Sequence, residues 1–446
     1  MNAIPEIAGL SARTSLIRIP SETDVPITPR VKKIIDAPEF YRLSQVMQLG
    51  LVPLVYPAAR HTRFEHSLGV YRLALLYVQR LASDIRFRQI VSQHMAELFI
   101  VTALIHDLGH YPYCHLIEDM DLPGVIPHEH RIGKRIERSE LADILRQDWG
   151  VEPQNVENLL NGNTNDLPTR LLESMISGPI DIDKMDYLYR DSLHAGVPYG
   201  RHFDRQRLIG SLCLNESGDR IAITDKGRTA AELMVFARYV MFSEVYWHHT
   251  VRAATAMLQR AVFRLWNEIN LNDFEDCSDF EFQKRLIDTA NSRGKKSALE
   301  LLLGLFGSRR QIYKRVKEFS ILEDSEIVRR ISRKPFEWLV RCSEFASQLA
   351  SAELSIPIRP DDIIIDAPPQ AKEVQFKIDV YFPRQNQYRP LQQASPAINA
   401  LATEQFDFFV KRVRVFANPN VAQDLFRLAD LNRWLERAVT MTDQTF

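Results

Sequence analysis

The stretch MAELFIVTALIHDLGHYPYCH, residues 95–115, decides the predicted fold of this chain of 446 residues. Its first half is apolar on nearly every side, with only two polar residues before a His-Asp pair. A helix that is apolar all round lies in the centre of a bundle, because a surface helix keeps one polar face. We expect this helix to end near Gly109, which places His106 and Asp107 on its last turn. The stretch therefore predicts a mainly α-helical bundle.

Composition divides the rest of the chain into three regions. Residues 1–30 carry four prolines and predict an irregular N-terminal arm, whereas residues 31–355 show helical periodicity and predict one helical domain. Apolar and polar residues alternate from Val374 to Phe382, which predicts a half-buried strand, and the run 408–417 predicts a second strand. We therefore expect residues 356–446 to form a small α+β module on the helical body.

Local signals add finer predictions inside these regions. The run 221–225, which follows Gly218, predicts a small hairpin. The stretch 280–355 is also helix-like. Asn420 is a candidate N-cap for a terminal helix over residues 421–439.

Charge and composition exclude several classes of protein. The 56 basic and 57 acidic residues nearly cancel, so no global field draws the chain to nucleic acid or to anionic lipid. No run of 18 apolar residues occurs, and residues 1–20 do not resemble a signal peptide. The four cysteines are scattered without a CxxC pair, which fits a reducing compartment and argues against a thiolate zinc site. We expect a cytoplasmic protein without a membrane partner.

Histidines are concentrated in one part of the chain. Eight of the twelve lie within residues 61–130, where even scattering would give about two. Most belong to three short segments, and a fourth segment further on is rich in carboxylates. These segments are HTRFEHSLG (61–69), LIHDLGHYPYCH (104–115), PHEH (127–130) and DIDKMDYLYRD (181–191).

Four residues of these segments have the chemistry of a metal site. His66, His106, Asp107 and Asp183 offer two imidazoles and two carboxylates from helical segments. This donor set suits a divalent ion such as Mn, Fe, Zn or Mg, with positions left for water and phosphate oxygens. Each residue alone is more often structural, and a His-Asp pair arises frequently by chance. The order of the four segments favours the metal site.

Two basic runs, 309–317 and 411–415, are open to two interpretations. They contact nucleic acid or an effector phosphate, or they form a solvated helix face and a charged strand edge. The alternation of the second run favours the edge strand.

Taken together, the motifs resemble those of the HD-domain metal-dependent phosphohydrolases, and among them the SAM-and-HD-domain deoxynucleoside triphosphate triphosphohydrolases. The resemblance covers residues 31–260, from IIDAPEFYRLSQVMQLG (34–50) to ARYVMFSEVYWHH (237–249), and we expect it to extend into the C-terminal module. No SAM domain fits into the N-terminal arm, so the resemblance is to the catalytic part. It implies an HD-domain bundle that converts a dNTP and water to a deoxynucleoside and triphosphate.

The resemblance also assigns roles to individual residues. It implies metal ligation by His66, His106, Asp107 and Asp183. It implies proton transfer and phosphate contact by His110, His115, His128, Glu129 and Arg63. It implies nucleotide binding by Arg63, Lys184 and Arg238 at the triphosphate, by Gln48, Tyr187 and Asp191 at the 3′-hydroxyl, and by Leu49 and Tyr246 at the 2′-carbon. In two-metal relatives His115 or His128 would serve a second ion, so the ion count stays open. The PHEH segment also fits a loop histidine that caps the next helix.

The chain departs from the family at the activator site. Tyr41 and Ser44 stand where relatives read a guanine, although Asp36 is kept. We therefore expect a nucleotide activator without an absolute requirement for GTP. Since relatives work as dimers or tetramers, and near-zero net charge gives little self-repulsion, we also expect a homo-oligomer.

Two alternatives to this function remain open. One is a phosphohydrolase of the same fold that acts on another nucleotide or phosphate ester. The other is a nucleotide- or nucleic-acid-binding regulator with a silent site, although such a protein would have no need for all four metal ligands.

Overall fold

The computed structural model describes residues 4–11, 15–20, 23–368, 377–401, 410 and 412–446. The chain is mainly α-helical with small sheets, which confirms the predicted fold class. The α-helices are Pro5–Gly9, Pro29–Asp36, Pro38–Tyr41, Arg63–Leu81, Ile85–Ile90, Gln93–Ile105, Cys114–Glu118, Ile132–Glu137, Leu141–Ile144, Pro153–Asn161, Leu167–Ile176, Ile182–Ala195, Arg205–Gly210, Arg228–Met241, His249–Leu265, Asp279–Ser292, Lys296–Phe306, Ser325–Ile331, Phe336–Leu354, Leu391–Ala394, Pro396–Ala400, Ala422–Leu425 and Leu431–Thr445.

The apolar helix of the opening stretch is Gln93–Ile105, and it lies in the centre of the helical body as predicted. The side chain of Ser92 caps its N-terminus, and every residue from Leu98 to Ile105 is buried. The helix packs against Arg63–Leu81, and its last residue leads into a 3₁₀ turn, His106–Gly109. Because this helix is buried on all sides, its position in the bundle fixes the position of the His-Asp pair that follows it.

The strands of the described residues form three small sheets. The orders are β1-β2, β3-β4-β7-β8 and β5-β9-β6, and β4 and β7 pair in parallel whereas the other pairs are antiparallel. The strands are β1 Leu16–Ile19, β2 Thr23–Pro26, β3 Leu212–Leu214, β4 Ile221–Thr224, β5 Lys314–Phe319, β6 Ile363–Asp366, β7 Asp379–Phe382, β8 Gln387–Pro390 and β9 Val413–Ala417.

The N-terminal arm is more ordered than its prolines indicated. It contains the helix Pro5–Gly9 and the β1-β2 hairpin, and Tyr71 of the bundle donates a hydrogen bond to the carbonyl of Pro26 at 3.1 Å. Elements of four or five residues give no periodic signal, so the sequence pattern could not reveal them.

The predicted C-terminal strands are present but join two different sheets. The hairpin predicted at 221–225 is β3-β4, and β7 of the predicted module pairs with β4 of the helical body. Residues 374–376 of the predicted strand, and 408, 409 and 411 of the second one, lie outside the described residues. Strands on both sides of residue 356 therefore share one sheet, which links the predicted module to the helical body. The domain boundaries at 30 and 355 stay predictions.

The helical interpretation of 280–355 is confirmed for four helices and fails at residues 314–319, whereas the edge interpretation of 411–415 is wrong. Residues 314–319 form the edge strand β5, whereas β9 is the central strand and is buried along its whole length. Arg414 of β9 is buried because its Nε donates to Glu318 of β5 at 2.7 Å. An arginine whose charge is paired with a carboxylate on the neighbouring strand can lie in a central strand. The sequence pattern of β9 alone does not show that Glu318 provides this carboxylate.

The predicted terminal helix is divided into two helices. The second, Leu431–Thr445, is capped by Asp430, whose side chain accepts from the backbone of Asn432 and Arg433. Asp430 therefore takes the role that was assigned to Asn420. The helix packs against Phe336–Leu354 in a third apolar cluster, separate from the clusters of the bundle.

Among the helices of the described residues, none combines the length and the hydropathy required to cross a bilayer.

Candidate functional site

Three helical segments bring the His and Asp residues to one place, and one of them is the 3₁₀ turn His106–Gly109 that follows the central helix. His66 lies in the second turn of Arg63–Leu81, whose N-terminus is capped by the Thr62 side chain. Asp183 lies in the first turn of Ile182–Ala195, which the carboxylate of Asp181 caps through the backbone of Lys184.

The four residues predicted as metal ligands lie around one point. His66 Nε2 is 3.0 Å from Asp183 Oδ1, and His106 Nε2 is 3.9 Å from the same oxygen and 3.4 Å from Asp107 Oδ1. The ligand atoms of His66, His106 and Asp107 all lie within 4.8 Å of one another. Such convergence of imidazole nitrogens and carboxylate oxygens fits a divalent cation.

His106 provides the sharpest test of that fit. Its Nδ1 is 2.9 Å from the carbonyl of Ala103, whereas its buried Nε2 has no hydrogen-bond partner among the residues that the structure describes. A carbonyl accepts only from a protonated nitrogen, so Nδ1 carries a proton and Nε2 is the nitrogen whose lone pair can ligate a cation. A buried lone pair that faces two carboxylates is costly unless a cation lies between them. The donor set therefore suits a bound metal ion.

The charges of the cluster depend strongly on each other. Burial alone would raise the pKa of Asp107, but His110 and the Arg63 guanidinium hold it well below its usual range. Burial alone would lower the pKa of His66, but hydrogen bonds to Asp183 and Asp186 raise it to about 10. In the protein without metal, His66 therefore carries a proton that a cation would displace.

A buried ion pair supports His66 from behind. Asp186 Oδ2 accepts from His66 Nδ1 at 2.9 Å, and both Asp186 oxygens accept from Arg190 at 2.7–2.8 Å. Arg190 also donates to Glu65 at 2.6 Å. The sequence analysis missed Asp186, although its spacing of three residues from Asp183 puts both on one helix face. A carboxylate on the second nitrogen orients a ligating histidine.

A second group of histidines lies beside the first. His110 Nδ1 is 3.1 Å from Asp107 Oδ1, and His110 Nε2 is 3.2 Å from His115 Nε2. The rings of His110 and His128 are 3.8 Å apart, and the side chain of His115 is 56% exposed. Burial, with the charge of Arg63, holds the pKa of His110 well below its ordinary value.

Glu118, which the sequence analysis did not select, fixes His128. Its two oxygens accept from the His128 backbone and from His128 Nδ1, each at 2.9 Å. Burial alone would lower the pKa of His128, but Glu118 raises it. The exposed Glu129 lies 3.5 Å from the other ring nitrogen of His128. The predicted PHEH segment therefore faces the His-Asp cluster rather than capping the next helix.

The residues predicted at the sugar also lie close together. Tyr246 donates to Asp191 Oδ2 at 2.6 Å, and its ring is 6.4 Å from that of Tyr187. Gln48 presents a buried side-chain oxygen without a hydrogen-bond partner among the described residues, and the neighbouring Leu49 is half-buried against the apolar core.

Two of the three cations predicted at the triphosphate, Arg63 and Lys184, are close to the cluster. Arg63 donates to Asp107 Oδ2 at 3.0 Å, and Lys184 is 2.5 Å from Asp181. Burial raises the pKa of the Tyr187 hydroxyl against the opposing charges of Arg238 and Lys184, which lie near it. Arg238 also lies over the ring of Phe242.

The predicted activator position lies on the surface. Tyr41 is 57% exposed and contacts Phe64 edge to face, and Asp36 pairs with Lys32 one helical turn away. Phe64 is next to Arg63, so this surface adjoins the candidate site.

Comparisons with known proteins agree with this geometry. The family described as HD domain matches residues 63–191, and the HD associated region matches residues 203–433. An uncharacterized protein of Methanocaldococcus jannaschii is 35% identical over 270 residues, 60% of this chain and 53% of that protein. The deoxynucleoside triphosphate triphosphohydrolase SAMHD1 of Danio rerio is 27% identical over 291 residues, 55% of this chain and 44% of its own length.

A solved structure shares the fold over most of its length. A phosphohydrolase of Bacteroides thetaiotaomicron superposes with a TM-score of 0.66 at 24% identity, over 90% of this chain and 99% of that one. The chain spans about half the length of the curated relatives it matches.

Proposed function

This chain belongs to the HD-domain family of phosphohydrolases, and from that premise we propose that it hydrolyses deoxynucleoside triphosphates to deoxynucleoside and triphosphate. The observation that carries the proposal is the spacing of Asp183, Tyr187 and Asp191. These residues follow one another at intervals of four on the helix Ile182–Ala195 and therefore share one face. Eight residues of helix span about 12 Å, which suits a nucleotide with phosphate at one end and sugar at the other.

We assign the metal to the first cluster. His66, His106, Asp107 and Asp183 would hold a divalent ion, whether Mn, Fe, Zn or Mg. When bound, the ion supplies positive charge that polarises the phosphoryl group and lowers the pKa of water. Asp186 keeps the ring of His66 in its ligating orientation through the bond to Nδ1.

Proton transfer falls to the histidines of the second cluster. His115 is the proposed acid, because its side chain is 56% exposed while its Nε2 lies 3.2 Å from His110 Nε2. Burial lowers the pKa of His115 to about 3, so it has to receive a proton from a neighbouring group before it can donate one. The bond between the α-phosphorus and the sugar 5′-oxygen breaks, the water oxygen joins the triphosphate and gives up a proton to solvent, and the 5′-oxygen takes its proton from His115. His128, held by Glu118, and Glu129 are placed to return a proton to His115.

Substrate recognition divides between charge and shape. Arg63, Lys184 and Arg238 neutralise the triphosphate, and Arg63 also offers forked hydrogen bonds. Gln48, Tyr187 and Asp191 surround the 3′-hydroxyl. Leu49 and Tyr246 close on the 2′-carbon, so that a ribose hydroxyl there would lose its water without gaining a partner. Such a loss costs about 1–3 kcal/mol, or roughly ten- to a hundredfold in rate.

The products of a dATP digest with Mn test the proposal. We expect deoxyadenosine and tripolyphosphate together by chromatography, and slower turnover of ATP by about ten- to a hundredfold. Deoxyadenosine monophosphate with pyrophosphate, or stepwise release of orthophosphate, would place the substrate in another register and favour a general phosphohydrolase. Tight nucleotide binding without turnover would favour the regulator with a silent site.

The activator position gives a separate prediction. Because Tyr41 and Ser44 replace the residues that would read guanine, dATP turnover should proceed without GTP, and we expect any activation to come from a nucleotide. Initial rates with and without GTP measure this directly. Strict dependence on GTP would contradict the prediction.

We also place the protein in the cytoplasm as a homo-oligomer, a dimer or a tetramer. The cysteines support a reducing compartment, since all four are free thiols.

A further inference from the structure

Asp191 is the most enclosed of the residues that we assign to the sugar. His61 Nε2 lies 2.8 Å from its Oδ1, and the side chains of His61 and Asp191 are 0% and 2% exposed. The other oxygen accepts from Tyr246. A buried carboxylate held at both oxygens has one rotamer, and the direction of its remaining lone pairs is fixed.

We propose that His61 is a positioning residue that orients Asp191 toward the 3′-hydroxyl and thereby sets the selectivity for that hydroxyl. This inference rests on the proposed function. The sequence motif contains His61 directly before Thr62 and Arg63, but no role follows from its place in the motif.

The hydrogen bonds of His61 determine its tautomer. Its Nδ1 is buried and has no hydrogen-bond partner in the described part of the chain, so a proton there would remain without an acceptor. The proton therefore lies on Nε2, where it is donated to Asp191. A neutral ring that donates from Nε2 can orient the carboxylate without neutralising it.

His61 also contacts the second residue assigned to the 3′-hydroxyl. Its backbone carbonyl accepts from the backbone N–H of Gln48 at 3.0 Å, within the short bridge between Met47 and Thr62. One residue therefore fixes Gln48 through its backbone and Asp191 through its side chain, although Gln48 and Asp191 are far apart in the sequence.

The ring of His61 is held from the other side by His194. The two rings stack with centroids 4.4 Å apart at an angle of 19°. His194 Nε2 lies 2.8 Å from Glu65, which also accepts from Arg190. The stack is thus anchored on the same ion-pair network that supports His66, so the sugar end and the metal end share one rigid frame.

Two variants distinguish the effect of the hydrogen-bond donor of His61 from the effect of its aromatic ring. His61→Phe keeps an aromatic ring for His194 but removes the donor, whereas His61→Gln keeps a donor but removes the ring. The measured quantity is the ratio of kcat/KM for dATP to that for 2′,3′-dideoxyadenosine triphosphate. Equilibrium binding of both nucleotides and the metal content accompany it. His94→Phe, on the exposed first turn of another helix, is the matched control.

We expect the wild-type protein to favour dATP by at least roughly tenfold, because a buried carboxylate without its hydroxyl partner is costly. His61→Phe should bring the ratio close to one through KM, with dideoxynucleotide turnover and metal content unchanged. His61→Gln should keep most of the preference, and His94→Phe all of it. A purely structural role would lower both substrates equally.

The opposite pattern overturns the inference, namely a preference that survives in His61→Phe or an equal loss for both nucleotides. If His61→Phe does not fold, His61→Asn decides, since its shorter amide does not reach Asp191 and should lose the preference that His61→Gln keeps. A wild-type protein that turns over both nucleotides equally contradicts this inference and leaves the triphosphohydrolase intact. A wild-type protein that hydrolyses neither contradicts the proposed function itself.

Discussion

Asp107→Asn is expected to lower dATP hydrolysis about a thousandfold or more and to lower the bound metal at the same time. The amide keeps the shape of the side chain but removes the charge that faces His106 Nε2 at 3.4 Å and accepts from Arg63 at 3.0 Å. A metal site that loses one of two carboxylates loses both affinity and the charge that fixes the cation. Initial rates and metal analysis of the purified variant measure the two effects.

Asp24→Asn is the matched control for this experiment. Asp24 forms an exposed ion pair with Arg18, and such pairs contribute little to stability. Its activity and metal content should equal those of the wild-type protein. Circular dichroism of both variants checks that they fold. Near-normal turnover and metal content in a folded Asp107→Asn protein would refute the assignment of the metal site.

Gly69→Ala is expected to destabilise the protein by about 3–5 kcal/mol and to lower metal binding, because it disrupts a buried ion pair. A Cβ at Gly69 would lie 2.0 Å from Asp186 Oδ1 and 2.3 Å from an Arg190 nitrogen. Both atoms belong to the pair that supports His66, so the pair must move or break. Helix propensity alone predicts the opposite sign, since alanine stabilises a helix interior by about 1 kcal/mol relative to glycine.

Gly210→Ala provides the comparison in another helix. Beyond its chain neighbours and the backbone of its own helix, no atom of the described residues lies within 4 Å of a Cβ at Gly210, so this variant should change the free energy of unfolding by less than about 1 kcal/mol. Thermal and urea unfolding of both variants measure the difference. A Gly69→Ala protein that is as stable as the wild-type protein would contradict the prediction. It would show that the Asp186–Arg190 pair can shift without a cost in the free energy of unfolding.

Several properties follow from local sequence, and the structure agrees with them. The apolar run before His106 is buried because no face of that helix is polar enough for water. His66, the adjacent pair His106 and Asp107, and Asp183 come from three separate segments yet converge, as the motifs predicted. Their roles as ligands stay predictions until metal is measured.

Other expectations failed where the deciding partner is distant in sequence. The run 411–415 was predicted at a strand edge because its cations alternate with apolar residues, but Glu318 pairs with Arg414 and makes a central strand possible. Residues 314–319 lie within the stretch 280–355 that was predicted to be helix-like, but they pair with β9 as a strand. The spacing of apolar residues shows which face of a helix or strand is apolar. It does not show which other helix or strand packs against that face.

The sequence alone therefore determined the helical class, the central buried helix and the residue types that meet at the metal cluster. The tertiary structure alone decided which groups hold those residues in place. Asp186 behind His66, Glu118 behind His128 and His61 behind Asp191 are contacts between segments, and two of the three join residues more than a hundred positions apart. The physical reason is that helix and strand periods arise from neighbouring residues, whereas a hydrogen bond between buried side chains depends on the packing of the whole chain.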